Sequence, residues 1–212
     1  MFMELWAIIT VGSAFLQNLR STLQKHLKGR MGTTGATFVR FGFGLPFAFL
    51  YLAILHLGLD RPLPVPGLVF AIWATIGAVA QISATFLLVH LFSFRNFAVG
   101  TAYSRTEPAQ AALLALVLFG ETIGLGTVAA ILISILGVMK ISVDPKSLKK
   151  KNIMTSVTSR TALIGLASGF FFGVSAIAYR TASLSLAPSL PAPDAVVQAG
   201  YTLCVVITIQ TL

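Results

Sequence analysis

Residues 67–92 read GLVFAIWATIGAVAQISATFLLVHLF, a run without a single Asp, Glu, Lys or Arg. As an α-helix this run would extend about 39 Å at 1.5 Å per residue, more than the roughly 30 Å of hydrocarbon in a bilayer. A buried soluble helix has no need of such length, so the stretch predicts a transmembrane helix. Similar runs lie at 5–24, 34–57, 97–119, 122–139 and 161–182, and a seventh occupies 194–212. The expected fold is therefore all-α, a polytopic bundle of six spans and part of a seventh.

Composition supports the same class. The 212 residues are 56% hydrophobic and only 10% charged, against roughly 25% charged in an ordinary soluble domain. Mean hydropathy is +0.89. The net charge of +9 would suggest nucleic-acid binding in a soluble protein. Here the basic residues fall in short loops between apolar runs, which speaks for membrane topology and against a nucleic-acid partner. Lys25, Lys28, Arg30, Arg95, Lys146, Lys149, Lys150, Lys151 and Arg160 lie in the first, third and fifth loops, whereas the even loops hold only Arg61. The odd loops are expected to be cytoplasmic and the N-terminus outside. The N-terminus has no basic residue ahead of its apolar run, unlike a secretory signal peptide, so the first span is expected to be retained. Cys204 is alone, which excludes an intrachain disulfide framework.

Charged residues inside spans carry the functional signal, because each costs about 2.5–3.5 kcal/mol at a helix centre on insertion scales. Arg40, Arg105 and Glu107 are such residues. Arg105 and Glu107 point about 200° apart on one helix and cannot neutralise each other, so Glu107 needs a partner on another helix, for which Arg40 is a candidate. Two arginines against one carboxylate leave a positive charge over, suited to a substrate carboxylate or phosphate held bidentately. An interhelical ion pair is the competing structural reading. Pro108 removes a backbone donor and crowds the carbonyl of Ser104, so the fourth helix should kink or unwind there. Exposed backbone at that depth is tolerated beside protein or a water-filled cavity. Tyr103 lies in the same segment. Gln17, Asn18 and Gln81 are second-rank candidates, serving either substrate contact or interhelical hydrogen bonds. Arg20 is expected to snorkel to the headgroups, and Tyr179 with Arg180 to anchor the interface. Gly165, Gly169 and Gly173 form a small-residue face for close helix approach. Enzyme signatures and metal-ligand clusters are absent from the sequence, so neither catalysis nor a metal or other cofactor is expected.

The stretch Glu107-Pro108-Ala109-Gln110-Ala111-Ala112-Leu113-Leu114, followed by Phe119-Gly120-Glu121 and Gly137-Val138, resembles the bacterial EamA-type members of the drug/metabolite transporter superfamily. That resemblance implies two inverted five-helix repeats and export or exchange of small metabolites through a central cavity. On this pattern 1–142 is a first repeat, 143–160 a basic cytoplasmic linker, and 161–212 an incomplete second repeat. Leu19-Arg20-Ser21 and Tyr179-Arg180-Thr181 form a matched pair between the repeats. The expected function is alternating-access transport of a small, amino-acid-like or carboxylate-bearing metabolite across the bacterial inner membrane. Arg40, Arg105, Glu107, Tyr103, Gln17, Asn18 and Gln81 would bind it, and Glu107 would couple a proton. The expected partners are the lipid bilayer and a small-molecule substrate, with a homo-oligomer left open. The alternative is a non-transporting truncated fragment or a scaffold whose polar residues serve helix packing.

Overall fold

The computed structural model describes residues 5–94, 104, 106–120, 124–142 and 160–212. Tyr103, Arg105, Arg95, Glu121 and the basic linker at 143–159 lie outside the described residues. Every regular element among the described residues is helical, and the architecture is an all-α membrane bundle. Helix α1 spans Leu5–Gly42, α2 Leu45–Ala53, α3 Leu68–Leu91, α4 Glu107–Phe119, α5 Leu125–Ser142, α6 Arg160–Ser185 and α7 Ala195–Thr211. A π-helical turn, Ile54–Gly58, extends α2, and a short 3-10 turn, Ala187–Ser189, precedes α7.

The first two expected spans are continuous in one respect that hydropathy does not anticipate. Residues 25–31, read from sequence as a polar loop, remain helical, and the break falls at Gly32, whose φ of 72° and ψ of −176° leave the helical region. A positive φ is costly for residues with a Cβ and cheap for glycine. Gln24 Nε2 reaches across the break to the Ala36 carbonyl at 3.5 Å. The polar residues Lys25, His26 and Lys28 are compatible with helix, so hydrophilicity alone does not end one. At this end of the bundle Lys28 Nζ donates to the His90 carbonyl at 3.3 Å and to Ser93 Oγ, tying α1 to the end of α3. A second break, Phe43–Gly44, precedes α2, which has Pro46 in its first turn, where a missing N–H leaves no helical bond unmade.

The most extensive packing is between α3 and α6. Small residues permit it: a Cβ on Gly77 would stand 2.4 Å from Tyr179 Cε1, and Ser168 Oγ, fully buried, donates to the Ala84 carbonyl at 2.8 Å. Phe70, Ala74 and Ala78 of α3 join Ala182 and Leu186, at the end of α6, and Val206 of α7 in one core. The glycine face of α6 receives the start of α4, with Gly169 against the Ser104 carbonyl, Thr106 and Gln110, and Gly173 against Ala111. Close approach of this kind is what small residues at four-residue spacing allow. Pro108 occupies the first turn of α4, which begins at Glu107, in the segment where sequence placed the break. Gly120, at φ 65°, ends α4 with its N–H on the Leu116 carbonyl.

The opposite end of the bundle is joined by the segment after the π-helical turn. Arg61 Nη1 meets Asp194 Oδ2 at 2.6 Å, and Val65 N–H donates to Ser189 Oγ at 3.1 Å. Asp194 Oδ1 accepts the N–H groups of Val196 and Val197, capping α7.

Candidate functional site

A cavity of about 510 Å³ opens between α1, α3, α6 and α7. Arg20 and Arg40 enter it from α1, on either side of the Gly32 break. Gln81 comes from α3, Tyr179, Arg180 and Ser183 from α6, and Thr202 and Gln210 from α7; Phe41, Val206 and Ile207 supply apolar wall.

Arg40 has a fixed posture. Its Nη1 donates to Thr85 Oγ1 at 2.7 Å, and its guanidinium carbon lies 5.4 Å from the Phe41 ring centre and 5.6 Å from that of Phe172. Two aromatic faces and one hydroxyl orient a planar cation without neutralising it. Glu107 attracts Arg40 and Arg20 repels it electrostatically, but Glu107 is not among the residues lining the cavity. It sits in the first turn of α4, where its charge complements the helix dipole.

Beside the arginine, three neutral side chains close a hydrogen-bonded triangle. Tyr179 Oη donates to Gln81 Oε1 at 2.8 Å, while Gln210 Nε2 donates to Gln81 Oε1 at 2.7 Å and to Tyr179 Oη at 2.9 Å. Gln81 Oε1 thus accepts twice, and Gln210 Oε1 is buried with no hydrogen-bond partner among the described residues. Three helices are locked at one level by this set, and their polar atoms are withdrawn from lipid.

Of the residues singled out from sequence, Arg40 and Gln81 line the cavity. Gln17 and Asn18 lie on the exposed face of α1 and do not. Tyr103 and Arg105 are outside the described residues. Arg20, Tyr179 and Arg180, read from sequence as interface residues, also line the cavity, and Gln210, Ser183 and Thr202 were not singled out. Gln210 carried a usable signal, since an amide inside an apolar run needs a partner for the same reason Gln81 does. For the arginines, sequence position gives depth but not the direction in which a side chain leaves its helix.

The family model described as "EamA-like transporter family" matches residues 4–143, more than half of the chain. No curated protein and no solved structure matches. The matched region contains Glu107 and Pro108 in the first turn of α4, the closing Gly120 and the Arg40 and Gln81 side of the cavity. The chain belongs to the EamA-like transporter family, and is accordingly a multi-pass membrane transporter of the drug/metabolite type and not an enzyme.

Proposed function

We propose that the chain moves a small carboxylate-bearing metabolite across the bacterial inner membrane, as an exporter or exchanger, by alternating access. The observation that carries this reading is the 510 Å³ cavity with Arg40 oriented on its wall. Its size falls in the range of roughly 300–1,000 Å³ typical of small-molecule sites. Arg40 supplies a cation whose remaining donors suit a carboxylate, and the neutral amides and hydroxyls beside it suit the rest of a small polar molecule. The excess of Lys and Arg in the first, third and fifth loops supports a cytoplasmic position for those loops and an N-terminus outside.

An inverted-repeat plan accords with the position of Arg20 and Arg180. These residues form the matched pair of the two repeats, and both line one cavity, as expected of a site at a repeat interface. In this plan 1–142 is the first repeat, 143–160 the linker and 161–212 part of the second. Glu107, beside the break and within the electrostatic reach of Arg40, is the proton-coupling residue.

The test is uptake of radiolabelled monocarboxylates and amino acids into vesicles containing the reconstituted chain, with and without an imposed proton gradient. Arg40→Gln should abolish saturable uptake while leaving the folded yield unchanged. Glu107→Gln should retain exchange and lose the response to the gradient; an intact response removes Glu107 from coupling. The closed triangle of Gln81, Tyr179 and Gln210 favours a second reading for those residues, helix packing alone. Unaltered uptake per folded molecule in Gln81→Leu would assign them to packing.

A further inference from the structure

The polar triangle beside Arg40 is incomplete at two atoms. Gln81 Oε1 accepts from Tyr179 Oη and Gln210 Nε2, which leaves Gln81 Nε2 without a hydrogen-bond partner among the described residues. Gln210 engages Gln81 and Tyr179 through Nε2, and its Oε1 is buried with no partner. Gln210 is only 6% exposed, so bulk water does not satisfy that oxygen, a costly state for a polar atom. Turning one amide over alone would set like atoms together at 2.7 Å. Turning both keeps three bonds in the triangle and merely exchanges the ends, Gln81 then presenting its oxygen and Gln210 its NH2. Either way the wall holds one donor and one acceptor that the triangle itself cannot satisfy. Resting on the carboxylate-transport reading above, we infer that the substrate is a small hydroxycarboxylate, its carboxylate on Arg40 and its hydroxyl between Gln81 and Gln210.

Arg40, Gln81 and Gln210 all line the same cavity. Arg40 Nη1 is fastened to Thr85 Oγ1 at 2.7 Å, and Gln210 Nε2 to Gln81 Oε1 at 2.7 Å. Thr85 and Gln81 lie four residues apart on α3, a spacing that puts two side chains on one face with about 5–6 Å between their Cβ atoms. The guanidinium and the incomplete amide pair are therefore anchored one helical turn apart, a separation that a carboxylate and a hydroxyl on one short carbon chain can bridge. Gln210 Oε1 comes to the cavity by a turn about its terminal torsion, which is broad and roughly two-fold. A hydroxyl both donates and accepts, so one such group completes both open atoms. An ammonium only donates; it would leave the open NH2 facing another donor, and none of the described residues lining the cavity is acidic to balance its charge. A second carboxylate only accepts and would leave the amide oxygen unmet. An unsubstituted fatty acid leaves both atoms unpaired, and sites built to hydrogen-bond a hydroxyl discriminate against the analogue lacking it for that reason.

The experiment measures thermal stabilisation of the purified full chain in detergent, at pH 7 and constant ionic strength, by butyrate, 2-hydroxybutyrate, 3-hydroxybutyrate and 2-aminobutyrate. At least one hydroxybutyrate should reach half-maximal stabilisation at a concentration about tenfold lower than butyrate and 2-aminobutyrate, the equivalent of the two hydrogen bonds its hydroxyl makes. Gln210→Leu should bring that hydroxybutyrate to parity with butyrate while leaving butyrate itself unchanged, and unliganded melting checks that the variant folds. Gln210→Glu, which replaces the neutral amide by a carboxylate of the same shape, should move the preference to 2-aminobutyrate, and it answers the question alone if the leucine variant does not fold. A hydroxybutyrate no better than butyrate, a parent protein that prefers 2-aminobutyrate, a preference that survives in folded Gln210→Leu, or an unchanged order in Gln210→Glu overturns the inference. If butyrate and the hydroxybutyrates act equally and all are lost in Arg40→Gln, the carboxylate reading stands while the hydroxyl reading falls. If none of the four stabilises the chain, both fall.

Discussion

Replacing Gly77 with alanine puts a single methyl group into the tightest glycine contact among the described residues. The added Cβ would lie 2.4 Å from Tyr179 Cε1, 2.6 Å from Cδ1 and 3.2 Å from Ala178 Cβ. Carbon atoms are at ease at about 3.5 Å or more, so the ring must retreat by about 1 Å. Its hydroxyl is held by Gln81 at 2.8 Å and Gln210 at 2.9 Å, and a displacement of that size breaks one of these bonds. Overpacking of this kind costs about 1–3 kcal/mol, and a lost hydrogen bond about 1 kcal/mol more. Alanine recovers about 1 kcal/mol through helix propensity, so the net destabilisation should be about 1–3 kcal/mol. The assay is reversible unfolding in mixed micelles titrated with a denaturing detergent. The control is the same substitution in a Tyr179→Ala background, where the ring is absent. There the propensity gain prevails over the remaining Ala178 contact, and Gly77→Ala should become neutral or slightly stabilising, giving a coupling energy of about 2 kcal/mol. A cost below about 0.5 kcal/mol in the parent, or an equal cost in both backgrounds, would refute the claim that the Tyr179 ring fills the space of the missing side chain.

Gly169→Ala brings a Cβ to 3.0 Å from the Ser104 carbonyl and 3.1 Å from Gln110 Nε2; because backbone cannot yield as a side chain does, it should cost about 1–2 kcal/mol and weaken cysteine cross-linking between α4 and α6. Gln81→Leu and Gln210→Leu should differ in the same unfolding assay. The first removes an acceptor shared by two buried donors and should cost about 2–3 kcal/mol. The second also deletes an unpartnered oxygen and leaves Gln81 without one of its two donors, so it should cost about 1 kcal/mol or less. The Asp194 carboxyl is held below the usual carboxylate range, chiefly by the Val197 N–H, with Val196 and Arg61 adding to the effect. A depressed folded value means the stabilisation is full above the ordinary aspartate range and is lost as pH falls through that range and below it. Melting temperature should therefore fall between about pH 5 and pH 3, and Asp194→Asn should reduce that fall; an unchanged pH profile would remove Asp194 from it.

The course of the helices along the chain was legible in the residues, and azimuth was not. The apolar runs located α3 and α6 within a few residues, and Pro108 marked the start of α4 because the lost donor is a local matter. Gly169 and Gly173 announced a close contact for the same reason. The segment at 25–31 was misplaced as a loop because a bundle end can keep Lys25 and Lys28 helical while they reach water or a neighbouring carbonyl. Arg20, Arg180 and Gln210 join Arg40 only through the arrangement of four helices, which depends on packing such as Gly77 against Tyr179. No one-dimensional pattern carries that information. The snorkelling expected of Arg20 follows from its span alone, and the adjacent cavity offers it a second polar destination.

The two oxygens of Asp194 have separate duties: Oδ1 starts α7 and Oδ2 holds Arg61. Arg61 is 54% exposed, so the ion pair is readily replaced by water. Releasing it leaves the first turn of α7 capped. The loop after the π-helical turn can thus loosen at Arg61, still held by the Val65–Ser189 hydrogen bond, and re-form the pair without any helix having to unwind or renucleate. Such a fastening is reversible by construction, and raising the salt concentration loosens the latch while sparing the helix beneath it.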